Sequence, residues 1–75
     1  MPLVQVKLIE GAFDEEQKRA MVERLTDAMA AVEGTLAHQM TWVVVEEVKS
    51  GHWGIGGKPM SSADVKALAA TRPVW

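Results

Sequence analysis

Apolar and polar residues alternate within residues 3–9 of the chain. Val4, Val6 and Leu8 fall on one face of an extended segment, and the residues between them are polar. A period of two is typical of a strand with one buried side. The pattern therefore predicts a first strand over residues 3–9.

The apolar period changes to three and four residues after Phe13. Asp14 can cap a helix with its side-chain oxygen, and Gln17 stands where it completes a capping box. Gly34 is placed to take the left-handed conformation that ends a helix. We predict about 19 helical residues between these signals, about 28 Å long. The apolar stripe expected to face the core is Met21, Leu25, Ala28, Met29 and Val32.

A second strand is predicted over residues 41–48, which are rich in β-branched residues. Residues 35–39 before it are expected to be a short polar connection. Strand, long helix and strand form a βαβ unit, in which the two strands should be parallel and the crossover right-handed.

The segment of residues 52–57 is dense in glycine and predicts a small hairpin or a bulged ribbon. Ser61 or Ser62 can cap a short last helix over residues 64–70, and residues 72–75 are expected to be an extended tail. We interpret the chain as one α/β domain over residues 1–75. Its parts are a core over 2–58, and a short helix and tail over 59–75.

The small size of the chain indicates that it has to associate with other chains. It has 75 residues and no cysteine, so a marginal core can be supported neither by disulfides nor by cysteine-bound metal. Two parallel strands do not make a stable sheet alone, and the uncovered sheet face needs a partner. We therefore expect oligomerisation to complete the fold. Trp75 could reach a neighbouring subunit or fold back on its own chain.

Charge and spacing exclude several classes of function. A net charge of −2 with scattered basic residues does not favour nucleic-acid binding. No apolar run is long enough to span a membrane and no leader is recognisable, so we expect a soluble, cytoplasmic protein. His38 and His52 lack the spacing of a zinc pair, and no cofactor or metal is expected. Glu46 and Glu47 are neighbours on a strand and point to opposite faces.

Pro2 is the remaining candidate for chemistry. Removal of an initiator methionine before a small residue would leave Pro2 as a free secondary amine, held stiffly by its ring. An α-amino group has a reference pKa of about 7.7 to 8.0, and an apolar pocket lowers it, so such a group can be a neutral base. The alternative is that proline is simply tolerated at a strand start, where no amide donor is needed.

Three blocks of this sequence carry a family resemblance. The blocks are Pro2 to Val6 with Ile9 to Gly11, Asp14 to Lys18, and Gly51 to Gly57. They resemble the 4-oxalocrotonate tautomerase family of the tautomerase superfamily. The resemblance covers about residues 2–58. It implies a βαβ subunit with a C-terminal hairpin, assembled as dimers into a hexamer, with an amino-terminal proline as catalytic base.

The resemblance also implies a substrate site. Trp53 matches the aromatic residue that forms an apolar wall of the family's active site, although simple packing is an alternative role. Members that use dicarboxylates carry two arginines, and here Ala12-Phe13 and Trp42 stand in their places. A pocket walled by Trp42, Trp53 and Phe13 would suit a less charged oxo-compound. Cations that could replace the arginines are Lys7, His38, Lys58 and Arg72.

Three functions follow from this interpretation. The first is a keto-enol tautomerase of small oxo-acids or related carbonyl compounds, with Pro2 as general base. The second uses Pro2 in a hydratase, dehalogenase or decarboxylase, with Glu46 or Glu47 activating water. The third is a non-catalytic or partner subunit of a mixed hexamer, in which a paralogous chain supplies the arginines.

Overall fold

The structure of the protein is a computed structural model, and it describes residues 2–71. The predicted tail with Arg72 and Trp75 lies outside the described residues. The elements in chain order are β1 (Leu3–Ile9), α1 (Glu15–Glu33), α2 (Thr35–Met40), β2 (Trp42–Val48), β3 (Trp53–Ile55), β4 (Lys58–Met60) and α3 (Ser62–Thr71).

Strands β1 and β2 pair in a two-stranded sheet. At one end the Trp42 amide donates to the Pro2 carbonyl at 2.9 Å, and at the other the Glu10 amide donates to the Val48 carbonyl at 2.7 Å. Both strands therefore run in the same direction, which confirms the predicted parallel βαβ arrangement. The predicted bounds of β1 are confirmed, and β2 begins one residue later than predicted.

The start and length of α1 follow from its capping residues. The Gln17 amide donates to Asp14 Oδ1 at 2.7 Å, and the Asp14 amide donates to Gln17 Oε1 at 3.0 Å. This reciprocal capping box opens a helix of 19 residues, as predicted. Gly34 ends it with a φ of +100°, but its ψ of 167° is extended and not left-handed helical. Glycine is suited to this conformation because it has no Cβ.

The prediction of a short polar connection over residues 35–39 was wrong, because this stretch is helical. It forms α2, which begins directly after Gly34 and leads into β2 through Thr41. Leucine, alanine, glutamine and methionine in this stretch are strong helix formers. Their propensity outweighs the polarity on which the prediction rested.

The predicted apolar stripe of α1 is only partly covered. Met21, Leu25 and Met29 are half-buried, whereas Ala28 is exposed and Val32 is 83% exposed. The helix is about 28 Å long at 1.5 Å per residue. A strand of seven residues spans only about 23 Å. The helix is therefore about one turn longer than either strand, and Val32 lies in its last turn.

The subunit has very little core of its own. Ile9, which is 4% exposed, is the one buried hydrophobic residue among those described. The outer face of the sheet leaves Leu3, Trp42 and Val44 exposed to 54%, 59% and 38%. Apolar surface on this scale is typical of a subunit that is completed by association.

The chain forms two compact units, which are described separately. The first contains residues 2–7 and 14–46, and the second contains residues 8–13 and 47–71. Within residues 2–71, no helix combines the length and apolar character that crossing a membrane requires.

The second unit contains the predicted hairpin. Strands β3 and β4 pair antiparallel, with Trp53 opposite Met60 and Ile55 opposite Lys58. Gly56 and Gly57 have φ values of +58° and +83°, and positive φ at both central residues is typical of a tight type I′ turn. The hairpin reaches Met60, two residues beyond the predicted core boundary.

Two hydrogen-bonded pairs of residues, each containing a serine, stabilise the start of α3. The Ser61 amide donates to Asp64 Oδ2 at 3.0 Å, and the Asp64 amide donates to Ser61 Oγ at 3.1 Å. The Ser62 amide donates to Ser50 Oγ at 3.0 Å. The first pair confirms Ser61 as the predicted cap. The second joins residues twelve apart, which sequence reasoning missed because the spacing matches no local motif.

The Asp64 cap predicts a dependence of stability on acid pH. Hydrogen bonds from the Ser61 backbone and side chain, helped by the charge of Lys58, hold the pKa of Asp64 below its ordinary value. A folded-state pKa below the ordinary value of 3.8 adds stability above that value, and this stability is lost as the pH falls through the folded-state pKa. We expect Ser61→Ala to raise the pKa of Asp64, measured by NMR titration. An unchanged pKa in that variant would contradict this account of the cap.

Candidate active site

Pro2 lies at the end of the parallel sheet where β1 begins. It is half-buried and directly precedes β1. Its carbonyl oxygen accepts the 2.9 Å hydrogen bond from the Trp42 amide. The pairing of the strands uses the carbonyl group of Pro2 and leaves the ring nitrogen out of the ladder. A chemical role for that nitrogen is therefore compatible with its role in the fold.

Trp42 is the predicted site residue that the structure brings to Pro2. The two residues share the first hydrogen bond between β1 and β2. The Trp42 side chain alternates onto the outer sheet face and is 59% exposed there. An indole at this position presents an apolar surface next to the start of the chain.

Phe13 and Trp53 belong to the second unit, whereas Pro2 and Trp42 belong to the first. Phe13 follows the turn after β1 and is 37% exposed, and Trp53 is half-buried on β3. Gly11 lies in the turn before Phe13 and has a φ of +80°. Its amide donates to Glu47 Oε2 at 3.3 Å. The four candidate site residues are thus divided equally between the two units.

The cations predicted to replace the family arginines differ in their partners. Lys7 Nζ lies 3.3 Å from Glu46 Oε1, and His38 Nε2 lies 3.0 Å from Asp27 Oδ1. Arg72 is outside the described residues. Lys58 has no ion pair with any carboxylate in residues 2–71.

The two strand glutamates have structural partners. Glu46 pairs with Lys7, and Glu47 accepts the hydrogen bond from the Gly11 amide. A carboxylate that activates water has to be available to that water. These contacts therefore disfavour the hydratase, dehalogenase or decarboxylase alternative, which depended on one of the two.

A shallow depression of about 340 Å³ lies within the first unit. None of the predicted site residues lines it. No sequence pattern indicates this depression, because it depends on how the first turns of α1 lie against β2. Its lining residues are Glu15, Lys18, Arg19, Val22 and Val45.

Comparison with known proteins decides the family. The family model described as tautomerase enzyme matches residues 2–63. The chain belongs to the tautomerase family. This confirms the resemblance stated from the three sequence blocks and the prediction of an enzyme of the tautomerase or isomerase class.

Relatives of this tautomerase share most of its length. A protein named probable tautomerase from Halalkalibacterium halodurans is 46% identical over 61 residues, covering 81% of this chain and 97% of the relative. A 2-hydroxymuconate tautomerase from Bacillus subtilis is 38% identical over 64 residues, covering 85% of this chain and all of the relative.

A solved structure extends the comparison to the fold. The heterohexamer 4-oxalocrotonate tautomerase from Chloroflexus aurantiacus superposes with a TM-score of 0.70 at 29% identity. The superposition covers 87% of this chain and 98% of the other. The βαβ fold with a C-terminal antiparallel hairpin is thereby confirmed.

Proposed function

We propose that this chain is a keto-enol tautomerase of small oxo-acids or related carbonyl compounds, with the Pro2 amine as general base after removal of Met1. The observation that carries the proposal is the position of Pro2. Pro2 directly precedes β1 in a chain of the tautomerase family, and strand pairing uses only its carbonyl group.

The Pro2 nitrogen would act as a single base in both directions. A neutral amine takes a proton from carbon or from an enol oxygen and returns it at another carbon, which moves the double bond without net consumption of acid or base. The amine must be unprotonated in the resting enzyme. Apolar neighbours favour this state because they disfavour the charged form.

The substrate is expected to carry less charge than a muconate-type diacid. Ala12, Phe13 and Trp42 stand where dicarboxylate-using members carry arginine, and an uncompensated carboxylate or enolate needs cationic or hydrogen-bonding donors. We propose Trp42, Trp53 and Phe13 as apolar walls of the substrate pocket. Exposure of the Trp42 and Phe13 rings supports this role.

Replacement of Pro2 tests the base. With Met1 removed, Pro2→Ala is expected to slow ketonisation of phenylenolpyruvate or 2-hydroxymuconate by about 10²- to 10⁴-fold, the range typical of a general base. Stopped-flow absorbance assays measure the rate of ketonisation, and circular dichroism spectra of both proteins control for folding. Equal rates for the two proteins would refute Pro2 as the base.

We further propose that the chain assembles in the cytoplasm into a homohexamer, built as a trimer of dimers. The exposed outer sheet face supports association, and the Chloroflexus relative is named a heterohexamer. That name and the absent arginines favour a second candidate, in which this chain is a partner subunit of a mixed hexamer. Co-purification of a second chain of similar mass would support the second candidate, and full activity of the homo-oligomer would reject it.

A further inference from the structure

The hairpin of β3 and β4 carries its large side chains on one face, and the other face carries almost none. Residues directly opposite in an antiparallel pair share a face, and so do residues two apart on one strand. The observed register therefore puts Trp53, Ile55, Lys58 and Met60 on the same face. The other face carries only Gly54 and Pro59.

Lys58 is therefore a cation on the same face of the hairpin as Trp53. The two residues are diagonal neighbours across the pair, with a separation of about 7–8 Å that aromatic and long side chains can bridge. Ile55, directly opposite Lys58, is 52% exposed. The face thus combines an ammonium group with exposed apolar surface.

The ammonium of Lys58 is available to a ligand. The other described candidates, Lys7 and His38, lie within 3.3 Å and 3.0 Å of Glu46 and Asp27 respectively. Lys58 forms no such pair within residues 2–71. The charge of Lys58 acts on Asp64, but that carboxylate accepts the hydrogen bond from the amide of Ser61, the cap of α3.

We propose that Lys58 binds the carboxylate of a monoanionic oxo-acid, whose apolar part packs against Ile55 and Trp53. The proposal rests on the proposed tautomerase function and makes it specific. A single ammonium neutralises one carboxylate, so the preferred substrate class is an oxo-acid with one carboxylate and an apolar substituent. Lys58 takes over part of the anchoring that dicarboxylate-using relatives assign to arginine.

A binding experiment separates this inference from the role of Pro2. Phenylpyruvate is titrated by calorimetry into the Met-trimmed Pro2→Ala protein, with and without Lys58→Met. A charge-assisted hydrogen bond is worth about 1.5–3 kcal/mol, so the second substitution is expected to weaken binding about tenfold to a hundredfold. Methyl phenylpyruvate, which lacks the charge, is expected to bind equally to both proteins. Lys58→Arg is expected to retain binding of the acid.

Lys66 supplies the matched control. It is an exposed lysine on α3 of the same unit, and Lys66→Met removes the same charge from a residue outside the hairpin. In the catalytically intact protein, Lys58→Met should raise KM for phenylenolpyruvate more than it lowers kcat. Equal weakening by the two lysine substitutions, equal loss of the acid and the ester, or no loss with Lys58→Met would overturn the inference. Full activity of Pro2→Ala would instead refute the proposed function and leave the binding result to judge Lys58.

Discussion

A sample that retains Met1 is expected to lose tautomerase activity while keeping its fold and assembly. With Met1 attached, the Pro2 nitrogen is a tertiary amide, which has no basic lone pair and no proton. Loss of a general base typically costs about 10²- to 10⁴-fold in rate. The fold should not respond, because β1 and β2 are joined through the Pro2 carbonyl and not through its nitrogen.

Intact mass spectrometry gives the fraction of trimmed chains in each preparation. Turnover is expected to rise in proportion to that fraction, while thermal stability stays constant. A variant with one glycine inserted between Met1 and Pro2 is the matched control, since trimming leaves Gly-Pro and the proline nitrogen remains acylated. Substantial turnover by that variant would show that Pro2 is not the base and would return it to a structural strand start.

Local signals in the sequence were sufficient for the main elements. The alternation over Leu3–Ile9 and the capping box of Asp14 and Gln17 fix β1 and α1, because both depend on neighbours close in the chain. α2 was missed where a polar stretch also had high helix propensity. The exposure of Val32 was missed because a helical stripe does not reveal where the covering strands end.

The candidate site was predictable only in part. Pro2 was singled out as a potential amine base from the sequence itself. Trp42, Trp53 and Phe13 came from the resemblance, which the family match supports. The partners of the charged residues could not be predicted, because they depend on strand register. Lys7 and Glu46 are 39 residues apart and meet only when β1 and β2 pair as observed.

Insertion of a charge into the outer sheet face is expected to abolish assembly. Ile9 is the one buried hydrophobic residue among those described, so the isolated subunit gains little from its own core. Val44 lies on the uncovered face with Leu3 and Trp42. If association buries this face, Val44→Asp places an unpaired carboxylate in an apolar interface, at a cost of several kcal/mol in each subunit. We expect a monomer that is largely unfolded.

Analytical ultracentrifugation and circular dichroism measure the two parts of this expectation. Val32→Asp is the matched control, because it makes the same change at a residue that is 83% exposed at the end of α1. It should leave the oligomer and its melting temperature nearly unchanged. The wild-type melting temperature should also rise with protein concentration, since dissociation accompanies unfolding. A Val44→Asp protein that remains oligomeric and folded would exclude the outer sheet face as the interface that stabilises this fold.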